Sequence, residues 1–303
     1  MTFLLIALAL LILIIAMSEF FLRFALSSSF NNNRMLVEES DYEKSDELKR
    51  EEEEAKKFLA SSEDVYIRGF DGTLLHAYLH RGGNSFLISL HGYKGNAMNN
   101  SVLYRHMAAL GYSILVPDMR GHGKSGGKWI GMGGFESRDL ISWIAYVKER
   151  CKDARIAIHG VSMGAATVMM AAGENPDGVI AAIEDCGYSD LYDEFSLQLK
   201  AMFHLPTRPI LDIISLWCHL RLGFTFKSVS PASEVARTHI PMLFIHGEAD
   251  DFVPLWMCPR CYESHNGEKE VWIAENARHA ESMMRHRTEY QKRCSEFIER
   301  YMS

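Results

Sequence analysis

Ser162 stands between two glycines in Gly160-Val161-Ser162-Met163-Gly164, where the apolar run Ile156 to His159 gives way to a stretch of helical composition ending near Ala171. A serine hydroxyl becomes a nucleophile when a base takes its proton, and a carboxylate must hold that base in place. A strand that turns sharply into a helix lifts such a hydroxyl clear of the sheet and aims the first helical amides at whatever it attacks. The flanking glycines fit that turn, because side chains there would strike the neighbouring elements. A second match, Gly123-Lys124-Ser125-Gly126-Gly127, lies in a glycine-rich loop that no helical stretch follows. Context therefore rejects Ser125. The same loop ends as a phosphate-binding loop does, but Asp118 occupies the position where that motif needs glycine.

The base and its carboxylate are sought at strand ends. The run Met242 to Ile245 leads into His246-Gly247-Glu248-Ala249-Asp250-Asp251, and Val271 to Ala274 leads into Glu275-Asn276-Ala277-Arg278-His279. The order Ser, Asp, His assigns Ser162 as nucleophile, Asp250 as the orienting acid and His279 as the base. Asp251, Glu184 and Asp185 are the alternative acids; His265 precedes its strand and His286 falls within the last helical stretch. The loop His91-Gly92-Tyr93 follows another buried strand, so the amides of Tyr93 and Met163 are the expected donors to a developing oxyanion.

Elements that place these residues alternate along the chain. Val65 to Arg68 and Leu74 to His80 flank the turn Asp71-Gly72 as a hairpin. Phe86 to Leu90, Ser113 to Val116, Ile156 to His159, Val179 to Ile183, Met242 to Ile245 and Val271 to Ala274 read as buried strands. Helical spacing falls between them at Ser101 to Leu110 and Phe135 to Cys151, with a last helix from about Glu281 to Tyr301. This pattern is an α/β fold, a mostly parallel sheet with helices on both faces. Residues 191–236 break the alternation and are too apolar for a surface loop, so they read as a helical lid or pocket wall. Met202, Phe203 and Trp217 within them are the expected substrate contacts.

The segments His91-Gly92-Tyr93-Lys94-Gly95-Asn96, Asp118-Met119-Arg120-Gly121-His122-Gly123-Lys124-Ser125, Gly160-Val161-Ser162-Met163-Gly164, His246-Gly247-Glu248-Ala249-Asp250 and Arg278-His279 together resemble the α/β-hydrolase superfamily. The chain is most similar to bacterial membrane-tethered members near serine aminopeptidases and carboxylesterases, over roughly residues 62–303. The resemblance implies an eight-stranded sheet with its second strand antiparallel, a cap inserted after the sixth, and no metal or organic cofactor.

Ahead of that region, Phe3 to Met17 is an unbroken apolar run, extended by Phe20 to Leu26. It reads as an N-terminal transmembrane helix over residues 1–27, with a cleaved signal peptide as the rival, since Ala25-Leu26-Ser27 loosely resembles a cleavage site. Arg23 and Arg34 on its C-terminal flank predict a catalytic domain on the cytoplasmic side, with an extracytoplasmic domain as the alternative. Residues 28–61 read as a polar linker and a solvated charged helix, in which Glu52 and Glu53 face Lys56 and Lys57 at helical spacing. The hydrolase domain then spans 62–303, with its cap at 191–236.

Composition narrows the partners. Acidic residues outnumber basic ones, 39 to 32, for a formal charge of -7. Without a basic block, nucleic acid is excluded as the main partner. Six scattered cysteines read as reduced thiols, and Cys258-Pro259-Arg260-Cys261 as a structural pair on a helix rather than a redox or zinc site. The expected function is a membrane-anchored serine hydrolase acting on a small acyl ester, thioester or amide, including short peptides. An acyltransferase using the same three residues and a non-catalytic scaffold are the other readings.

Overall fold

Strand β5 (Arg155–Val161) lies at the centre of the sheet, paired in parallel with β3 (Ser85–Leu90) on one side and β6 (Val179–Asp185) on the other. The structure, a computed structural model, describes residues 1–30 and 42–302. Eight strands run in the order β1-β2-β4-β3-β5-β6-β7-β8, with β1 (Glu63–Arg68), β2 (Leu74–His80) and β4 (Ser113–Asp118) on one flank. Strands β7 (Met242–Gly247) and β8 (Lys269–Ala274) form the other. β2 is antiparallel to both its neighbours, and the remaining described pairs are parallel.

Period-two alternation divides the core. Ile156 and Ile158 of β5 face one side, where they meet Trp143, Ile144, Val168 and Met169; Ala157 faces the other, with Tyr104, Met107, Phe297 and Ile298. The first group comes from α4 (Gly134–Arg150) and α5 (Met163–Ala172), the second from α3 (Ser101–Ala109) and α11 (Arg287–Arg300). The last helical stretch is two helices rather than one: His286 breaks the backbone (φ -124°, ψ 42°) between α10 (Ser282–Arg285) and α11. Between β6 and β7 lie α6 (Leu191–Phe203), α7 (Ile210–Leu222), a short 3-10 turn and α8 (Pro231–Val235). The remaining helix of this half, α9 (Met257–Ser264), carries Cys258 and Cys261, both buried and unbridged. All six thiols are free.

The N-terminal helix departs from the expected division at residue 27. α1 (Thr2–Leu26) is exposed through Met17, and beyond it the helix packs into the hydrolase fold. Leu22 and Leu26 are 0% exposed and belong to the main core. Phe21 and Phe24 pack edge-on against Phe203 at 5.1 and 5.4 Å between ring centroids. The Trp217 indole donates to Glu19 at 2.8 Å, and Ser27 forms a β-bridge with Trp129. An apolar run cannot distinguish lipid from protein as its partner, so composition hid this docking. Residues 31–33 of the expected linker, and Arg34, lie outside the described residues.

The charged helix α2 (Asp46–Ala60) is capped by the Ser45 hydroxyl and docks through Leu48, Ala55 and Leu59. Its ion pairs differ from those expected: Glu52 accepts from Lys44, and Lys56 turns to Glu53.

Candidate active site

Ser162 caps the N-terminus of α5 with φ 55° and ψ -118°, a conformation forced where β5 turns into the helix. A Cβ on Gly160 would come within 2.2 Å of the Gly164 carbonyl oxygen, and one on Gly164 within 2.6 Å of the Leu90 carbonyl oxygen. Both contacts are with backbone, which cannot yield, so the elbow closes only around glycine. Across the sheet edge, β7 and β8 deliver their loops together: a Cβ on Gly247 would meet the Ala277 carbonyl oxygen at 2.4 Å.

The three side chains come into contact at that edge. His279 Nε2 lies 2.9 Å from Ser162 Oγ, and His279 Nδ1 lies 2.8 Å from Asp250 Oδ2. Asp250 is buried, and its other oxygen accepts from the Phe252 and Val253 amides, which leaves Oδ2 for the imidazole. The alternative acids are held elsewhere. Asp251 is exposed and faces Arg278, Glu184 accepts from the Gly187 amide, and Asp185 accepts from the Ser282 hydroxyl. Burial pulls the His279 imidazole down, but the Asp250 carboxylate opposes this by charge and hydrogen bond, aided by Glu194 and Asp185, and the pKa ends above its ordinary 6.5.

Two further histidines have roles that motif reading leaves undefined. The Met119 amide donates to His91 Nε2 and the Lys94 amide to His122 Nε2, both at 3.0 Å. Each ring therefore carries its proton on Nδ1, donated to the carbonyls of Gly92 (2.7 Å) and Arg120 (2.9 Å). Burial, with the neighbouring ring's charge, pushes His91 down to about 3, so it stays neutral. These imidazoles pin the Gly92-Tyr93-Lys94 loop beside Ser162. Tyr93 also donates its hydroxyl to the Ala25 carbonyl of α1 at 2.8 Å, and Lys94 Nζ reaches the carbonyls of Ser27, Ser28 and Phe30. The rejected Ser125 is structural: it accepts from the His76 amide and donates to the Asp118 carbonyl.

A cavity of about 430 Å³ opens over Ser162 and His279, with Tyr93 and Met163 in its wall. Phe195, Gln198, Phe252 and Met283 also line it, Ala25 contributes from α1, and Glu52 and Lys56 contribute from α2. The expected contacts Met202, Phe203 and Trp217 do not line it. α6 turns Glu194, Phe195 and Gln198 inward, whereas Phe203 and Trp217 face α1. Composition identifies an apolar insertion but not which helical face meets the cavity.

Cys186, Asp250 and His279 bring donor atoms within 4.8 Å of one another. Both ring nitrogens of His279 are committed, to Asp250 and Ser162, and burial beside carboxylates drives the Cys186 thiol well above its ordinary range. The trio is organised for proton transfer rather than for holding a metal.

Glu194 also lines the cavity. Gln198 donates to one of its oxygens at 2.9 Å; the other has no protein partner among the described residues. Burial raises its pKa from 4.5 to about 7, against the pull of Gln198 and the His279 charge. A folded pKa above the unfolded one means stability that is complete below about 4.5 and lost as pH rises through about 7, roughly 3 kcal/mol in all. Glu194→Gln removes that loss. Thermal melts of both forms from pH 5 to 8 are expected to show the Gln variant gaining several degrees relative to wild type as pH increases.

Strand order, the single antiparallel strand, the insertion after β6 and the elbow at Ser162 define an α/β-hydrolase. Residues 101–303 match the prolyl oligopeptidase family, and the chain belongs to that family. It is 36% identical over 234 residues to the uncharacterized protein YqkD of Bacillus subtilis, covering 76% of each chain. It is 26% identical over 212 residues, 68% of each, to the uncharacterized protein Rv2307c of Mycobacterium tuberculosis. Among solved structures it is similar to the Pyrococcus furiosus esterase Pf2001, with TM-score 0.67 and 24% identity over 82% of this chain and 94% of that one. It is also similar to Est1E from Butyrivibrio proteoclasticus, solved with ferulic acid bound, with TM-score 0.63 and 18% identity over 78% and 99%. At those identities the likeness is one of fold.

Proposed function

We propose that the protein is a membrane-anchored serine hydrolase that cleaves acyl esters through an acyl-enzyme on Ser162. The observation that carries this reading is the chain of contacts Ser162, His279, Asp250 opening onto an apolar cavity. With its Nδ1 proton donated to Asp250, His279 presents a lone pair at Nε2 to the serine hydroxyl. As the Ser162 hydroxyl proton passes to Nε2, Oγ bonds to the substrate carbonyl carbon. The carbonyl oxygen takes up the negative charge and is stabilised by the Tyr93 and Met163 amides. His279 then gives its proton to the departing alkoxide. Water enters, loses a proton to the same imidazole and attacks the acyl carbon; the bond to Oγ then breaks, Oγ takes the proton back from Nε2, and the acid leaves with Ser162 and His279 restored.

An amide follows the same steps with an amine leaving, and an acyltransferase replaces water by another acceptor. Chromogenic esters of graded acyl length, set beside aminoacyl anilides and alcohol acceptors, separate the three. Ester turnover well above anilide turnover is expected, and anilide preference overturns the esterase form. The raised His279 pKa sets a pH dependence as well. The rate is expected to fall as pH drops through an apparent value above 6.5, because the protonated imidazole accepts nothing. Asp250→Asn is expected to move that limb downward, which a pH profile of kcat/KM reads directly.

The same reading keeps α1 as an anchor rather than a cleaved leader. Cleavage after Ala25 or Ser27 would remove Leu22 from the core and Glu19 from Trp217. Arg23 at the end of α1 supports reading the catalytic domain as cytoplasmic, and six unbridged thiols accord with a reducing compartment.

A further inference from the structure

Helix α7 is apolar on more faces than its packing uses. Leu211, Ile214 and Cys218 point into the core, while Trp217 and Arg221 reach sideways to Glu19 of α1. A third stripe, Ile213, Leu216 and Leu220, is 36%, 59% and 68% exposed. A surface helix of a soluble domain turns charge to that side. The stripe adjoins α1, whose own outward residues Met17 and Phe20 are exposed as well.

Three observations identify what covers it. The first is continuity: Leu216 and Leu220 are helical neighbours of the residues that grip Glu19, within two turns of the point where α1 leaves the protein. The second is length. The free part of α1, Thr2 to Met17, measures roughly 24 Å at about 1.5 Å per residue, short of a hydrocarbon core of about 30 Å. A short span draws the attached domain toward the bilayer and puts Phe20 and its neighbours at the boundary. The third is charge. Residues 200–228 carry four Lys or Arg against one Asp, in a chain of net charge -7. Arg23 and Arg221 share Glu19, and Arg208 and Lys227 share Asp212, so on and beside α7 four exposed cations meet two carboxylates and leave a positive excess that suits anionic headgroups.

We propose that the outward face of α7 rests in the bilayer interface beside α1, and that the cavity draws its acyl substrate from that leaflet. This rests on reading α1 as an anchor and Ser162 as the nucleophile. Ala25, in the cavity wall, lies about 12 Å along the helix axis from Met17, so the cavity stands just above the headgroups. The substrate class is therefore an amphiphile whose scissile acyl ester sits at headgroup depth and rises only a short way to reach Ser162, drawing its chain into the cavity.

The test uses the full-length chain in vesicles of phosphatidylcholine with a third phosphatidylglycerol. The background is Cys151→Ser, because the other five thiols are buried. Spin labels go on Leu216→Cys, Leu220→Cys, Leu10→Cys and Leu110→Cys, the last on the α3 side of the molecule. Collision with oxygen against a water-soluble nickel chelate is expected to read positions 216, 220 and 10 as apolar and 110 as aqueous. If 10 is apolar while 216 and 220 match 110, the interfacial face is refuted and the anchor stands; if 10 is aqueous, the anchor fails first. Dipolar broadening between labels at 216 would show a second copy on the stripe and also overturns the proposal.

For the substrate route, Leu216→Glu with Leu220→Glu is compared with wild type on a water-soluble short-chain ester and on a long-chain acyl ester held in the vesicles. Expected is at least a ten-fold loss on the vesicle substrate with less than a two-fold change on the soluble one. Equal effects on both overturn the route, and absence of ester turnover in wild type overturns the esterase reading on which the route rests while the spin labels still decide the placement.

Discussion

Ser162→Ala is expected to lower kcat on an activated acyl ester by about a million-fold, with His279→Ala close behind and the double variant no worse than either. The reason is that the two groups act as a unit. The hydroxyl is inert without the base 2.9 Å away, and the base has nothing to deprotonate without the hydroxyl. What remains in each variant is the contribution of the cavity and the amide donors. Steady-state kinetics on purified, folded variants check this. Independent, additive losses would mean that the pair does not work together.

Nearly as large an effect is expected from shortening the chain. Removing residues 1–16 takes away only exposed helix and leaves turnover of a soluble ester within a few-fold of wild type. Removing residues 1–30 withdraws Leu22, Phe24 and Leu26, all buried, together with Glu19 beneath Trp217 and the carbonyls that hold Tyr93 and Lys94. Three buried apolar side chains at about 1.5–3 kcal/mol each amount to roughly 5–9 kcal/mol, comparable with the whole stability of a typical domain. The longer deletion is expected to be insoluble or to melt far below the shorter one, and to lose ester turnover. Equal melting temperatures for the two fragments would show that the docked half of α1 contributes nothing. A hydrolase fragment starting near Ser62, the boundary that composition points to, falls on the wrong side of this line.

Much of the site was legible because its residues sit at strand ends. Ser162, Asp250 and His279 each follow a recognisable apolar run, and a parallel sheet carries such ends to one edge. The hairpin at Asp71-Gly72 and the helix at Ser101 were readable from local signals. Other features depend on tertiary geometry that no local pattern contains. Leu22 and Leu26 look the same whether lipid or protein covers them. Phe203 and Trp217 are apolar because α1 lies against them, whereas Phe195 and Gln198, earlier on the helix that carries Phe203, meet the cavity. His91 and His122 stood out as motif residues, but their work as neutral acceptors for the Met119 and Lys94 amides appears only once the two loops are side by side.

Covalent labelling reads whether Ser162 is a nucleophile made reactive by His279. The full-length protein is treated with a fluorophosphonate and digested, and the adduct is mapped by mass spectrometry. Expected are stoichiometric modification of Ser162 in wild type, none in Ser162→Ala, and labelling slowed by several orders of magnitude in His279→Ala. An unmodified Ser162 in folded wild-type protein, or an adduct on another residue at the same rate in all three, would contradict it.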